Sequence, residues 1–354
     1  MPGGESEILP MNQTDRAQQQ SVAMARRRVL SATGVALAAG ALPLMWPMMS
    51  RADQADDVNP ADKSTYYTVQ HPQEFDLDYA NALYRRADSQ TADALKNLPH
   101  HLNLPFGAHP KQRLDLYLPK GTISNAPVLM FVHGGGFEEG DRKHYGFVAS
   151  SYAARGIIVV VAGYRLAADG ARYPAPPNDV RDAFVWLHEN LSRYHGNSNS
   201  IFLSGHSVGA IMVGDLGADR TWLTTRGIPP SVLRGIALVS GCYELIRNDD
   251  FDPVNGETIS AEYVPTVDLQ IRASALMHLN DPPRAAVIAF GDGDPYERRF
   301  VRSSRKLQAA LASRHVDSNL VYLKGQTHID TVFSFADAQS TLFKAVLSMI
   351  GKWA

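Results

Sequence analysis

Apolar positions along the chain fall into short runs separated by stretches of helical spacing. Arg113-Leu114-Asp115-Leu116-Tyr117-Leu118 alternates apolar and polar residues until Pro119 stops it, which predicts a half-buried strand. Three continuous apolar runs follow at residues 128–132, 157–162 and 201–203. Runs without alternation suit strands buried on both faces of a parallel sheet. Between the last two, Val180, Ala183, Phe184, Leu187 and Leu191 recur at three- and four-residue steps and predict an amphipathic helix. Residues 236–239, 286–290 and 319–323 predict further strands, with helices expected over 74–98, 300–313 and 331–350. Strands alternating with helices in this way predict an α/β fold: a mostly parallel central sheet with helices on both faces.

The first sixty residues follow a different pattern. Residues 1–24 are polar and rich in Gln, and Arg26-Arg27-Arg28 then precede a mostly apolar stretch, 29–49, interrupted by Gly34, Gly40, Pro43 and Pro47. A basic end, an apolar segment and then small residues is the order of a targeting signal. Ala25-Arg26-Arg27-Arg28-Val29-Leu30-Ser31 resembles a twin-arginine export signal. Ser50-Arg51-Ala52 offers small residues for cleavage, and Ala39-Gly40-Ala41 is an earlier alternative. Export to the periplasm or beyond is therefore expected, with an uncleaved membrane anchor over 29–49 as the alternative. Met24 is an alternative start. Residues 1–60 are set apart as leader and linker, leaving 61–354 as one domain.

Composition narrows the chemistry. With 34 Lys+Arg against 36 Asp+Glu the formal charge is −2, so no global field favours nucleic acid. The one cysteine, Cys242, excludes an intrachain disulfide framework, a Cys-rich zinc site and an iron–sulfur cluster. It is expected to be a small buried residue and not a nucleophile.

In parallel sheets ligands bind beyond the carboxyl ends of the strands, so the residues just after the apolar runs carry the candidate chemistry. After 201–203 comes Gly205-His206-Ser207-Val208-Gly209, the pattern of a nucleophilic serine on a sharp strand-to-helix turn. A chain this long would match Gly-x-Ser-x-Gly by chance about one time in ten, so its place between a strand and a helix is what discriminates. After 128–132 comes His133-Gly134-Gly135-Gly136-Phe137. Consecutive glycines let backbone N–H groups approach a developing oxyanion, with Gly135, Gly136 and Val208 as the expected donors. A phosphate cradle is disfavoured, since no Lys-Ser/Thr follows this loop.

An acid and a base are sought further on. Gly291-Asp292-Gly293-Asp294 follows 286–290, and Gly325-Gln326-Thr327-His328 follows 319–323. His328 is preferred among twelve histidines because it follows a strand and precedes a helix, whereas His315 lies at the wrong edge. His100, His101 and His109 come too early in the chain, and His133 and His206 belong to motifs already assigned. Asp294 is preferred to Asp292 because it leaves more chain for its carboxylate to turn back toward His328.

Together these residues resemble the α/β-hydrolase fold, and within it the esterases with a His-Gly-Gly-Gly loop and the arylformamidase-like group. Tyr164-Arg165-Leu166, Pro174-Ala175 and Asp179-Val180 are similar to an esterase segment, and Ser240-Gly241-Cys242-Tyr243-Glu244-Leu245 to an arylformamidase one. Residues 294–304 also resemble the arylformamidase group, but Gly136-Phe137 stands where that group has Tyr-Trp, which favours a general esterase. The resemblance implies a serine hydrolase of small-molecule esters, with an amide-cleaving formamidase as the alternative. It implies Ser207 as nucleophile, His328 as base and Asp294 as acid, with neither metal nor organic cofactor. A neutral histidine base implies activity that falls as pH drops through about 6–7. A non-catalytic binding protein on the same scaffold is the rival from another class. A small lid is expected from residues 242–280 and those before Leu104. Trp222, Tyr243 and Phe137 are possible pocket walls that serve equally as core packing.

Overall fold

The sheet runs in the order β1-β2-β4-β3-β5-β6-β7-β8. Its strands are β1 (His100–Pro105), β2 (Arg113–Tyr117), β3 (Ala126–Val132), β4 (Ile158–Ala162), β5 (Gly196–His206), β6 (Leu233–Val239), β7 (Ala285–Gly291) and β8 (Asp317–Leu323). The computed structural model describes residues 77–246, 263–293 and 295–354, all within the compact unit Ser50–Ala354. The expected leader, residues 247–262 of the expected lid and Asp294 lie outside the described residues. β1 and β2 pair antiparallel, as do β2 and β4, and every other pairing is parallel.

Successive strand residues point to opposite faces, and here both faces are apolar. One face carries Met130, Val132, Val160 and Leu203 against α3 (Ala175–Asn190), α4 (Val208–Ala218) and α7 (Pro295–Ala312). The other carries Leu129, Phe131, Val159 and Phe202 against α1 (Leu77–Asn97), α2 (Ala149–Ala153), α8 (Asp330–Ala336) and α9 (Thr341–Trp353). Two short helices, α5 (Thr221–Thr224) and α6 (Val267–Ala273), complete the set named here. The continuous apolar runs are thus the middle of a three-layer sandwich, the α/β arrangement expected from the sequence.

Three features depart from the sequence pattern. The strand expected to be half-buried is buried from Leu114 to Tyr117. Its polar member Asp115 is 3% exposed and accepts from Asn103 N at 2.8 Å and Arg142 Nε at 3.1 Å. A paired carboxylate can be buried where an unpaired one cannot, so the alternation marked an internal ion pair and not a wet face. The single helix expected over 331–350 is two, α8 and α9. Asp337 Oδ1 accepts from Gln339 N, and Ser340 Oγ caps α9 by accepting from Phe343 N at 2.9 Å. Such local side-chain bonds compete with helix continuation. The edge strand β1, with Asn103 at φ 56° in a register shift, had no apolar signature to announce it. Among the described residues no helix is long and apolar enough to cross a membrane.

Candidate active site

Ser207 joins β5 to α4 with φ 56° and ψ −125°. A non-glycine residue held at positive φ costs on the order of 1–3 kcal/mol and persists only where its surroundings hold it. Ser207 N donates to Val239 O at 2.9 Å, while Ile211 N in α4 donates to Ser207 O. The flanking glycines are required by close approach. A Cβ on Gly205 would lie 2.4 Å from the carbonyl of Gly209, and one on Gly209 would lie 2.2 Å from Val132 O. The motif therefore wedges the serine turn against the end of β3, where the glycine loop begins.

In that loop Gly135, Gly136 and Phe137 all have positive φ, at 123°, 64° and 67°. A Cβ on Gly135 would sit 2.0 Å from Glu139 O, and one on Gly134 would sit 3.0 Å from Ser207 Cβ. Gly135 O accepts from Glu138 N and Glu139 N, closing the loop on itself. His133 is stacked against Tyr145 and Tyr164, and its Nδ1 is 2.7 Å from Gly134 O. Burial pushes its pKa down to about 4, so the neutral ring donates that bond and pins the loop. Tyr164 OH donates to His133 O at 3.0 Å. Val208 N lies in the first turn of α4, where amides have no intrahelical acceptor. The three expected oxyanion donors are thus carried by two backbone segments that abut Ser207.

His328 lies between β8 and α8 and is 3% exposed. Its Nδ1 is 2.8 Å from Glu297 Oε2. Glu297, in the first turn of α7, is fully buried, and its Oε1 accepts from Ser240 Oγ at 2.8 Å and Gly291 N at 2.6 Å. Phe300, one turn further along α7, stacks on the His328 ring at 5.1 Å. His328 O accepts from His206 Nε2 at 2.8 Å, so the residue beside Ser207 is bonded to the base loop. A carboxylate on Nδ1 holds a proton there and leaves Nε2 with the lone pair of a general base.

Glu297 was not singled out from the sequence, and among the described residues it is the carboxylate seen on His328 Nδ1. Asp294 itself lies outside the described residues. Asp292, the other acid considered, turns away. It accepts from Gly325 N at 2.6 Å and from the Tyr322 hydroxyl, bonds that hold its carboxyl below the usual range, the Tyr322 bond foremost. The missed signal was the helix itself. A glutamate in the first turn of the helix after β7 has the reach to fold back beneath the strand end.

The remaining candidates sort by burial. Cys242 is buried and its thiol is pushed up to about 11, chiefly by desolvation, as expected of a structural cysteine. Tyr243 is fully buried, and Trp222 Nε1 donates to Leu216 O. Phe137 is buried and stacks on Tyr263 with centroids 3.5 Å apart, so it braces the glycine loop. Asp179 accepts from Arg165 N, Nε and Nη2 and from Gln112 Nε2, which anchors the Tyr164-Arg165-Leu166 segment. Among the described residues no group of three His, Cys, Asp or Glu side chains could hold a metal ion.

Comparison with known proteins places the chain among hydrolase-like relatives. The BD-FAE family model matches residues 114–221. Kynurenine formamidase of Salmo salar is 25% identical over 257 residues, covering 71% of this chain and 82% of the relative. Isoprenylcysteine alpha-carbonyl methylesterase of Arabidopsis thaliana is 25% identical over 270 residues, covering 70% of this chain and 61% of the relative. A crystal structure of esterase B from Lactobacillus rhamnosis superposes with a TM-score of 0.62 at 18% identity, covering 78% of this chain and 91% of that one. The chain has the α/β-hydrolase fold.

Proposed function

We propose that this protein is a serine hydrolase that cleaves carboxylic esters of small molecules through an acyl-enzyme on Ser207. The buried Glu297–His328 pair, bonded through His206 to the strained Ser207 turn, carries this reading. Ser207 Oγ attacks the ester carbonyl as His328 Nε2 takes its proton. The carbonyl oxygen becomes an oxyanion facing the N–H groups of Gly135, Gly136 and Val208. Collapse of the tetrahedral intermediate breaks the ester C–O bond, and His328 returns the proton to the departing alkoxide. Water then attacks the acyl-enzyme with His328 again as base, releasing the acid and free Ser207. Glu297 keeps the imidazole in the required tautomer and stabilises the imidazolium. Its two further donors, Ser240 and Gly291 N, support a carboxylate in a fully buried place.

Fluorophosphonate labelling with peptide mapping tests this reading. Modification of Ser207 together with loss of ester turnover supports it. Folded protein that hydrolyses no ester and leaves Ser207 unmodified overturns it. The similarity to a formamidase along most of both chains favours a second reading, cleavage of an N-formyl aromatic amine by the same groups. The ratio of kcat/KM for p-nitrophenyl acetate to that for an N-formyl aniline separates the two. We further propose that residues 25–52 direct export; a secreted product beginning at Asp53 supports this, and a mature chain that keeps residues 29–49 points to an anchor.

A further inference from the structure

Gly205-x-Ser207-x-Gly209 leaves the residue before the serine free to vary, and here that residue is doing more than filling space. The His206 ring leaves β5 on the face opposite Leu203. It lines an apolar cavity walled by Tyr84, Tyr145, Phe147, Ile329 and Phe333. It is 5% exposed, and its centroid is 4.7 Å from that of His328. Its Nε2 is 2.8 Å from His328 O. Its Nδ1 is buried without a hydrogen-bond partner and faces Gly134, where an added Cβ would come within 3.1 Å of it. One ring therefore touches the base loop and the glycine loop and precedes the nucleophile in sequence.

The tautomer follows from those contacts. A carbonyl oxygen can only accept, so Nε2 must carry the proton. The alternative would set two lone pairs against each other and bury an N–H with nothing to receive it. Thr331 Oγ1 also donates to His328 O, at 2.8 Å, and a carbonyl oxygen with two lone pairs receives both bonds. Desolvation and the nearby His328 hold the His206 pKa well below the ordinary histidine value. The ring is thus a neutral, directional donor through the working range.

We infer that His206 is a positioning residue, whose Nε2–H ties the His328 loop to the nucleophile strand and sets the base in register with Ser207. The inference rests on the serine-hydrolase reading for its catalytic consequence and on geometry alone for its structural part. His206→Phe removes the donor and keeps a flat ring, whereas His206→Gln keeps an N–H at about the reach of Nε2. His206→Phe is expected to lower kcat about 10- to 100-fold with little change in KM, as misplacement of a reacting group by up to about 1 Å does. His206→Gln is expected to recover most of that loss. Wild-type kcat in His206→Phe, or equal losses in both variants, overturns the inference. A nitrogen-15 histidine spectrum of the unaltered protein needs no variant to fold. It should show a slowly exchanging Nε2–H on His206 at neutral pH, and a Nδ1–H tautomer there overturns the inference. If the unaltered protein hydrolyses no ester while that spectrum is as expected, the functional reading fails and the positional one stands.

Discussion

Two buried histidine–carboxylate pairs can be compared in this molecule. In one, Glu297 Oε2 lies 2.8 Å from His328 Nδ1. In the other, Asp88 Oδ1 lies 2.5 Å from His144 Nδ1, with the two side chains 3% and 5% exposed. Both histidines also pack on an aromatic ring, Phe300 and Tyr84 respectively. Their neighbours differ. The Glu297–His328 pair sits at the carboxyl ends of β7 and β8, bonded through His206 to a serine at positive φ. The Asp88–His144 pair joins α1 to the 3-10 turn Arg142–Val148, beside Thr91, whose Oγ1 donates to His144 O and accepts from Phe147 N. A buried acid–imidazole pair is therefore as ready to fasten a helix as to drive a reaction. What distinguishes the Glu297–His328 pair is its bond, through His206, to the strained Ser207 turn that the proposed reaction uses.

Substitutions that break the two pairs should separate these roles. Ser207→Ala should lower kcat by about four to six orders of magnitude with little change in the unfolding midpoint. Steady-state kinetics on an aryl acetate measure this, and near-normal turnover would remove Ser207 from the chemistry. Glu297→Gln should cost about 10³–10⁴ in kcat because an amide favours the wrong imidazole tautomer. Asp292→Asn, on an exposed acid turned away from His328, should leave kcat unchanged in the same assay. If the two outcomes were reversed, Asp292 would be the acid.

A third histidine sharpens the comparison through pH. His133, whose Nδ1 bonds the Gly134 carbonyl, is held neutral by burial with a pKa of about 4 against 6.5 in the unfolded chain. Below about pH 6.5 the unfolded state takes up a proton that the native state refuses. Stability is therefore present in full above that value and falls as the pH drops toward about 4. The loss from this group is of order 3 kcal/mol. Urea unfolding at pH 7 and pH 4.5, on the wild type and on His133→Asn, measures it. A variant with the same acid sensitivity as the wild type would show that His133 does not carry the effect. Smallest in reach, Asp88→Asn should cost about 1–3 kcal/mol of stability and leave turnover per folded molecule unaltered. A fall in kcat without a fall in stability would mean that α1 contributes to the reaction.

How much of this was legible in the sequence follows the range of each interaction. Both glycines around Ser207 are dictated by contacts within the turn or at the adjoining strand end, so their spacing announced them. His328 was found by its place after a strand and before a helix, which needs only the element order. The acid could not be chosen that way. Asp292, Asp294 and Glu297 lie within six residues, and which carboxylate reaches His328 depends on where α7 begins and how it packs. Asp115 misled for a related reason, because Arg142, its partner, lies far along the chain.

The sequence by itself determined the α/β layering, the serine turn and the glycine loop. Those are written in periods of two and 3.6 residues and in local steric demands. Only the tertiary structure decided that Glu297 holds His328, that His206 bridges the base loop to the nucleophile strand, and that Asp88 and His144 are a fastening. Each of those joins groups from 31 to 122 residues apart. Direction and distance between such groups are set by packing of the helices on the sheet, and no local pattern records that packing.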